Sequence, residues 1–117
     1  MVYASGSRAL AQLEKRVNSN GVAPVRQAMI RLDLPEGAQL LDVDEDLALQ
    51  SQWRTDEGYT QGVGVDWLRS KGSLGLWVPS FIEPQERNLL INPAHRDYPS
   101  IALVVEHAEF VFDPRLF

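Results

Sequence analysis

From Arg8 to Val17 the chain runs without Gly or Pro, and Ala9, Leu10, Leu13 and Val17 recur at helical spacing. That pattern predicts a first helix burying those four residues, capped by Ser5 or Ser7 and closed by Asn18-Ser19-Asn20-Gly21. The period then changes. Ala28, Ile30, Leu32 and Leu34 alternate with Gln27, Arg31 and Asp33, which predicts a strand over Val25 to Leu34 with one wet face. Pro35-Glu36-Gly37 breaks it, Gln39 to Val43 reads as a short strand, and Glu45 to Trp53 as a helical turn or short helix. A second helix is expected over Thr60 to Lys71 in spite of Gly62 and Gly64. Each glycine weakens a helix interior by about 1 kcal/mol relative to Ala, so close packing or an irregular turn has to account for them. Gly72 ends that helix. Leu74 to Val78 suits a buried strand stopped by Pro79, and Ile101 to Glu106 and Glu109 to Phe112 read as two more strands. Helices and strands mix without regular alternation. The expected class is α+β, with a mixed, largely antiparallel sheet.

Composition narrows the function classes. At 117 residues, 44% of them apolar, the chain suffices for one domain (1–117) with its own core. It has no Cys, which excludes disulfides and thiolate metal sites. The net charge of −5 comes without any basic block, which argues against direct nucleic-acid binding and is compatible with a basic protein partner. No run is long and apolar enough for a membrane span, and Met1 to Ser5 is no signal peptide, so the expectation is no membrane association and a cytoplasmic location. His95 and His107 lack the paired spacing of a zinc site, and no carboxylate pattern supports calcium, so no metal is expected.

Three side chains stand out as candidates for chemistry. Glu14 shares a helix stripe with Leu10 and Val17 at the border of the apolar face, while Arg8, Gln12 and Lys15 are expected to project well away. A half-desolvated carboxylate on a rigid helix suits recognition of a hydroxyl or a developing cation, although a boundary Glu with its head in water fits the same spacing. Tyr3, on a strand entering that helix, offers a ring for stacking on a planar heterocycle or for plain edge packing. Ser80 follows the Leu74–Val78 strand, where a hydroxyl can face a cleft and donate to a ligand or simply belong to a turn. No Gly-x-Ser-x-Gly elbow, phosphate loop or dinucleotide fingerprint accompanies them. Asn88-Leu89-Leu90-Ile91-Asn92-Pro93-Ala94-His95 sets two amides and an imidazole around a short apolar run, with Asn92-Pro93 favouring a turn.

Taken in order, these segments resemble a known family. Val2-Tyr3-Ala4-Ser5 leading into Ala9 to Glu14, then Thr60 to Gly64 with Asp66-Trp67-Leu68, Leu76 to Ser80, Asn88 to His95 and Phe112 to Phe117 are similar to successive motifs of the RES toxins. The resemblance covers essentially the whole chain. It implies a core similar to the ADP-ribosyltransferases and a protein that consumes NAD as substrate, by hydrolysis, phosphorolysis or ADP-ribosyl transfer. Glu14 and Ser80 match the family's glutamate and serine as catalytic residues, with Tyr3 and Ser80 contacting the substrate. It also implies an Xre-type helix-turn-helix antitoxin as partner, and is compatible with a homodimer or a higher toxin–antitoxin assembly. The family's arginine-bearing arm would lie before Met1, so the chain is expected to be truncated relative to the family. Arg8, on the polar side of its helix, is not expected to replace that arginine. An alternative is a catalytically impaired module that binds the antitoxin without turning over NAD.

Overall fold

A computed structural model describes residues 1–47 and 50–117. In chain order the elements are β1 (Val2–Ser5), α1 (Arg8–Val17), β2 (Gln27–Asp33), β3 (Leu40–Asp42), α2 (Val43–Asp46), α3 (Glu57–Ser70), β4 (Gly75–Pro79), β5 (Arg87–Ile91) and β6 (Ala102–Phe110). Short 3-10 turns occupy Trp53–Thr55, Tyr98–Ser100 and Pro114–Leu116. The fold is α+β. Four strands form a sheet in the order β1-β5-β4-β3, antiparallel except for the parallel β3–β4 pair, and β2 and β6 form a separate antiparallel pair.

Alternation along the central strands gives the sheet two apolar faces. On one, Leu76 and Leu90, directly opposite each other, pack with Val43 and Trp67 of α3. On the other, Leu89 and Ile91 pack with Leu74 and receive Leu32 of β2 and Ile101. Gly75 belongs to this second face for a steric reason. A Cβ there would lie 2.9 Å from Leu40 Cδ2 and 2.9 Å from Leu89 Cδ1. Gly75→Ala is therefore expected to destabilise the protein by about 1–3 kcal/mol through overpacking, measured by denaturant unfolding, and an unchanged midpoint would refute the tight approach.

Several expectations need correction. The run around Asn88, given no element from the sequence, is β5, inside the sheet, because both of its backbone edges find partners, in β1 and β4, while the turn expected at Asn92-Pro93 follows it. The two strands expected over Ile101–Glu106 and Glu109–Phe112 are one strand, β6, whose register shifts opposite Gln27, Met29 and Ile30 absorb the polar interruption. α3 starts earlier than Thr60, since the Asp56 side chain accepts from the Tyr59 N–H at 2.9 Å and caps it. It runs regularly through both glycines to Ser70 and is closed by Lys71 in the left-handed conformation (φ 53°), just before Gly72. The helix expected over Glu45 to Trp53 is reduced to α2 and the Trp53–Thr55 turn, and part of it lies outside the described residues.

The first helix is where pattern and packing diverge most. Ser7 caps it, accepting from the Leu10 N–H at 3.1 Å. Of the four residues expected to be buried, only Leu10 is: Leu13 is 39% and Val17 59% exposed. α1 lies beside β1, the edge strand, so the sheet receives the face carrying Leu10 and Glu14 and leaves the Leu13–Val17 side open. The chain's last residues fix its far end. Arg16 Nε donates to the Leu116 carbonyl while its guanidinium lies 4.8 Å over the Phe117 ring. Phe117 stacks edge-on against buried Phe112, which stacks on Phe110 at the end of β6.

Candidate active site

Sheet geometry brings polar residues together at the β1 end of the α3-facing side. Ser5 on β1 and Val78 on β4 are the register partners of Asn88 on β5, so all three share one face with Tyr3, Leu76 and Leu90. Just beyond β4 the Ser80 N–H donates to the Glu86 carbonyl at 2.9 Å, closing the loop that returns to β5. Glu14 reaches into this corner from α1. Its Oε1 accepts from Ser80 Oγ at 2.8 Å and from Asn88 Nδ2 at 2.7 Å. Among the described residues, neither of these bonds, nor any other, involves Oε2.

Ser80 is fully buried, and its hydroxyl is saturated. It accepts from the Ile82 N–H at 3.1 Å and the Glu83 N–H at 3.2 Å, which leaves its single proton for Glu14. In this arrangement the hydroxyl donates to Glu14. Tyr3 is 72% exposed on the edge strand, with its ring open to a partner.

Two cavities meet at Tyr3, Glu14 and Asn88, which line both. The smaller, about 460 Å³, is walled by Trp53, Phe81, Val63 and Gly64. Trp53 and Phe81 pack edge-to-face there with centroids 4.9 Å apart. The larger, about 1170 Å³, opens between β1 and β2. Arg8, Lys15 and Arg31 line it together with Glu14. Spacings of three and four residues put Arg8, Ala11, Lys15 and Asn18 on one stripe of α1, and that stripe, rather than the apolar one, faces the gap. Arg8 pairs with Glu106, which also lies 3.6 Å from Arg31. Arg31 grips Asp33 through two bonds of 2.7 and 3.0 Å, and this hydrogen bonding lowers the Asp33 carboxyl below the usual carboxylate range and raises Arg31.

The remaining singled-out residues serve the scaffold. Asn92 is buried, donates to the Leu68 carbonyl at 3.1 Å and accepts from the Ala94 N–H at 3.0 Å, tying the end of β5 to α3. His95 Nδ1 accepts from the Asp97 N–H at 3.1 Å within the following turn. Among the described residues no group of three His, Asp or Glu side chains has the geometry of a metal site, and no helix is long and apolar enough to cross a membrane.

Sequence reasoning missed Asn88 and Ser5 as site residues. Asn88 stands in the sequence as the amide just before the apolar run Leu89–Ile91. Only strand pairing, which sequence alone does not give, places it against Ser5 and Glu14.

An α+β domain that anchors a carboxylate through a single oxygen where two cavities meet falls in the class of proteins with a concave, polar-edged candidate site. Comparison with known proteins makes that class specific. Residues 1–113 match the RES domain, and the chain belongs to the RES domain family. It is similar to the Toxin Res of Yersinia enterocolitica, with 33% identity over 98% of this chain and 76% of the relative. It is also similar to the Prs ADP-ribosylating toxin of Sphingobium sp., with 35% identity over 99% of this chain and 74% of the relative. The Toxin Res of Pseudomonas putida is 32% identical over 100% of this chain and 79% of its own length.

Proposed function

We propose that this chain is the toxin of a bacterial toxin–antitoxin pair and cleaves the nicotinamide–ribose bond of NAD. Water, phosphate or a protein side chain would accept the ADP-ribose. The observation that carries the reading is the Glu14 carboxylate, which lines both cavities and is held through Oε1 by Ser80 and Asn88, with no bond to Oε2 among the described residues. The names of its relatives as toxins, one of them ADP-ribosylating, point the same way.

Breaking a glycosidic bond of this kind develops positive charge on the ribose ring. Nicotinamide leaves readily, so the protein's task is to orient the substrate and to place negative charge where the cation forms. Glu14 Oε2 accepts from a ribose hydroxyl and faces that charge. Tyr3 packs on the nicotinamide ring, and the apolar wall of Trp53 and Phe81 excludes water beside it. Ser80 contributes through Glu14. In the larger cavity Lys15 supplies a cationic lining for the phosphates, while Arg8 is engaged by Glu106. The partner is an Xre-type helix-turn-helix antitoxin that covers the site, in keeping with a toxin of net charge −5 meeting a basic protein.

Incubation of the purified protein with NAD and chromatographic measurement of free nicotinamide tests the reading. Time-dependent release, blocked by the antitoxin, is expected. Absence of release while the antitoxin still binds would replace the enzyme by a binding module.

A further inference from the structure

Oε1 of Glu14 receives two hydrogen bonds, one from Ser80 and one from Asn88. The second donor has its own support. Asn88 Oδ1 accepts from Ser5 Oγ at 2.8 Å, and its Nδ2 then points at Glu14 Oε1, 2.7 Å away. A reversed amide would set Oδ1 against the carboxylate, acceptor against acceptor, so Ser5 and Glu14 together select one orientation.

The backbone of Asn88 is already paired within the sheet, to β1 on one side and β4 on the other. Its side chain adds nothing to those ladders. Both polar atoms of the amide are committed, one to Ser5 and one to the carboxylate, in a half-buried corner where charge-assisted bonds are strong.

We propose that Asn88, held by Ser5, is a positioning residue that locks the Glu14 carboxylate so that Oε2 is the oxygen presented to the substrate. This rests on the reading of Glu14 as the catalytic carboxylate. One donor leaves a carboxylate free to rotate about that bond; two donors on the same oxygen, from β5 and from the loop after β4, fix its plane. Ser5 acts one step further back. Without it the amide can turn over and present Oδ1 to Glu14.

In steady-state NAD cleavage, Asn88→Ala is expected to lower kcat about ten- to a hundred-fold, the size of one hydrogen bond to a charged group, with KM little changed. Asn88→Asp lowers it at least as far, because it removes the donor and opposes two carboxylates. Ser5→Ala has a smaller effect and adds nothing in the Asn88→Ala background, since both changes remove the same support. A purely structural role would show instead as a lower melting temperature with additive losses. A second measurement needs neither NAD nor an Asn88 variant. In nitrogen-15-labelled protein, Glu14→Ala should move the Asn88 side-chain amide resonance and speed its exchange with water. An unmoved Asn88 amide overturns the proposal, as does a kcat for Asn88→Ala within about twofold of the wild type, well under the loss of one such bond. If the amide responds but the wild type releases no nicotinamide, the lock on Glu14 stands and the NAD reading falls.

Discussion

Glu14→Gln reduces nicotinamide release about 10²–10³-fold, by analogy with the loss of one preorganised electrostatic partner in other active sites, while the protein unfolds at nearly the same denaturant concentration. Both halves of this expectation follow from the same contacts. The amide oxygen of Gln can take the place of Oε1 and accept from Ser80 and Asn88, so no buried donor is orphaned. The amide nitrogen then replaces Oε2, presenting a neutral donor where the mechanism requires an anionic acceptor. Glu14→Ala would be a blunter probe. It strips the acceptor from fully buried Ser80 and adds about 1–3 kcal/mol of destabilisation to the catalytic loss. Single-turnover release with saturating NAD, alongside urea unfolding, separates the two effects. Retention of the wild-type rate by Glu14→Gln would remove the carboxylate from the mechanism and with it the proposed reaction.

Local pattern carried much of this architecture. The apolar run ending at Pro79 marks β4, which buries both faces. The alternation of Ile30 and Leu32 with Arg31 and Asp33 marks β2 as a strand but not its face: Leu32 is half-buried while Ile30 is 48% exposed, because the register shifts around Met29 turn the pattern over. α1 was visible as a helix and misread as to face. Periodicity locates an apolar stripe but not what lies opposite it, and at the edge of the sheet Leu13 and Val17 stay open while Glu14 turns inward. β5 was hidden for the converse reason. Arg87 and Asn88 open it and Asn92-Pro93 close it after only three apolar residues, and its strand character is imposed by β1 and β4 on either side.

The site was legible one residue at a time and illegible as an assembly. Glu14 and Ser80 lie 66 positions apart in sequence, and Glu14 and Asn88 lie 74 apart. Nothing local announces that a loop after β4 and the middle of β5 converge on one helix. Ser80 illustrates the limit. Its place after a strand is legible, but its bonds are not: the Ile82 and Glu83 amides fill its lone pairs and its proton goes to Glu14.

The second large effect is expected far from the chemistry. Trp67→Ala should cost about 3–5 kcal/mol, the range for emptying a buried aromatic site. Trp67 is 3% exposed and packs on Val43, Leu76 and Leu90. Its Nε1 donates to buried Ser73 Oγ at 2.8 Å, which passes its own proton to the Gly75 carbonyl at 3.0 Å. Truncation thus opens a cavity beneath β4 and β5 and breaks the link that ties the end of α3 to the start of β4. Against a total of about 5–15 kcal/mol for a domain of this kind, the loss approaches the whole margin. Trp67→Phe keeps most of the apolar contact and loses the N–H, so it should cost less, and the difference between the two variants measures packing against hydrogen bond. The functional consequence separates this residue from Glu14. Leu90 sits two positions from Asn88 on the same face of β5, so the ring supports the strand that holds the carboxylate. Trp67→Ala should therefore lose activity in step with its thermal unfolding curve and regain it on cooling, whereas Glu14→Gln stays slow at every temperature at which it is folded. A Trp67→Ala protein that remains folded at the wild-type midpoint would mean that the α3 face is not the core that carries the sheet.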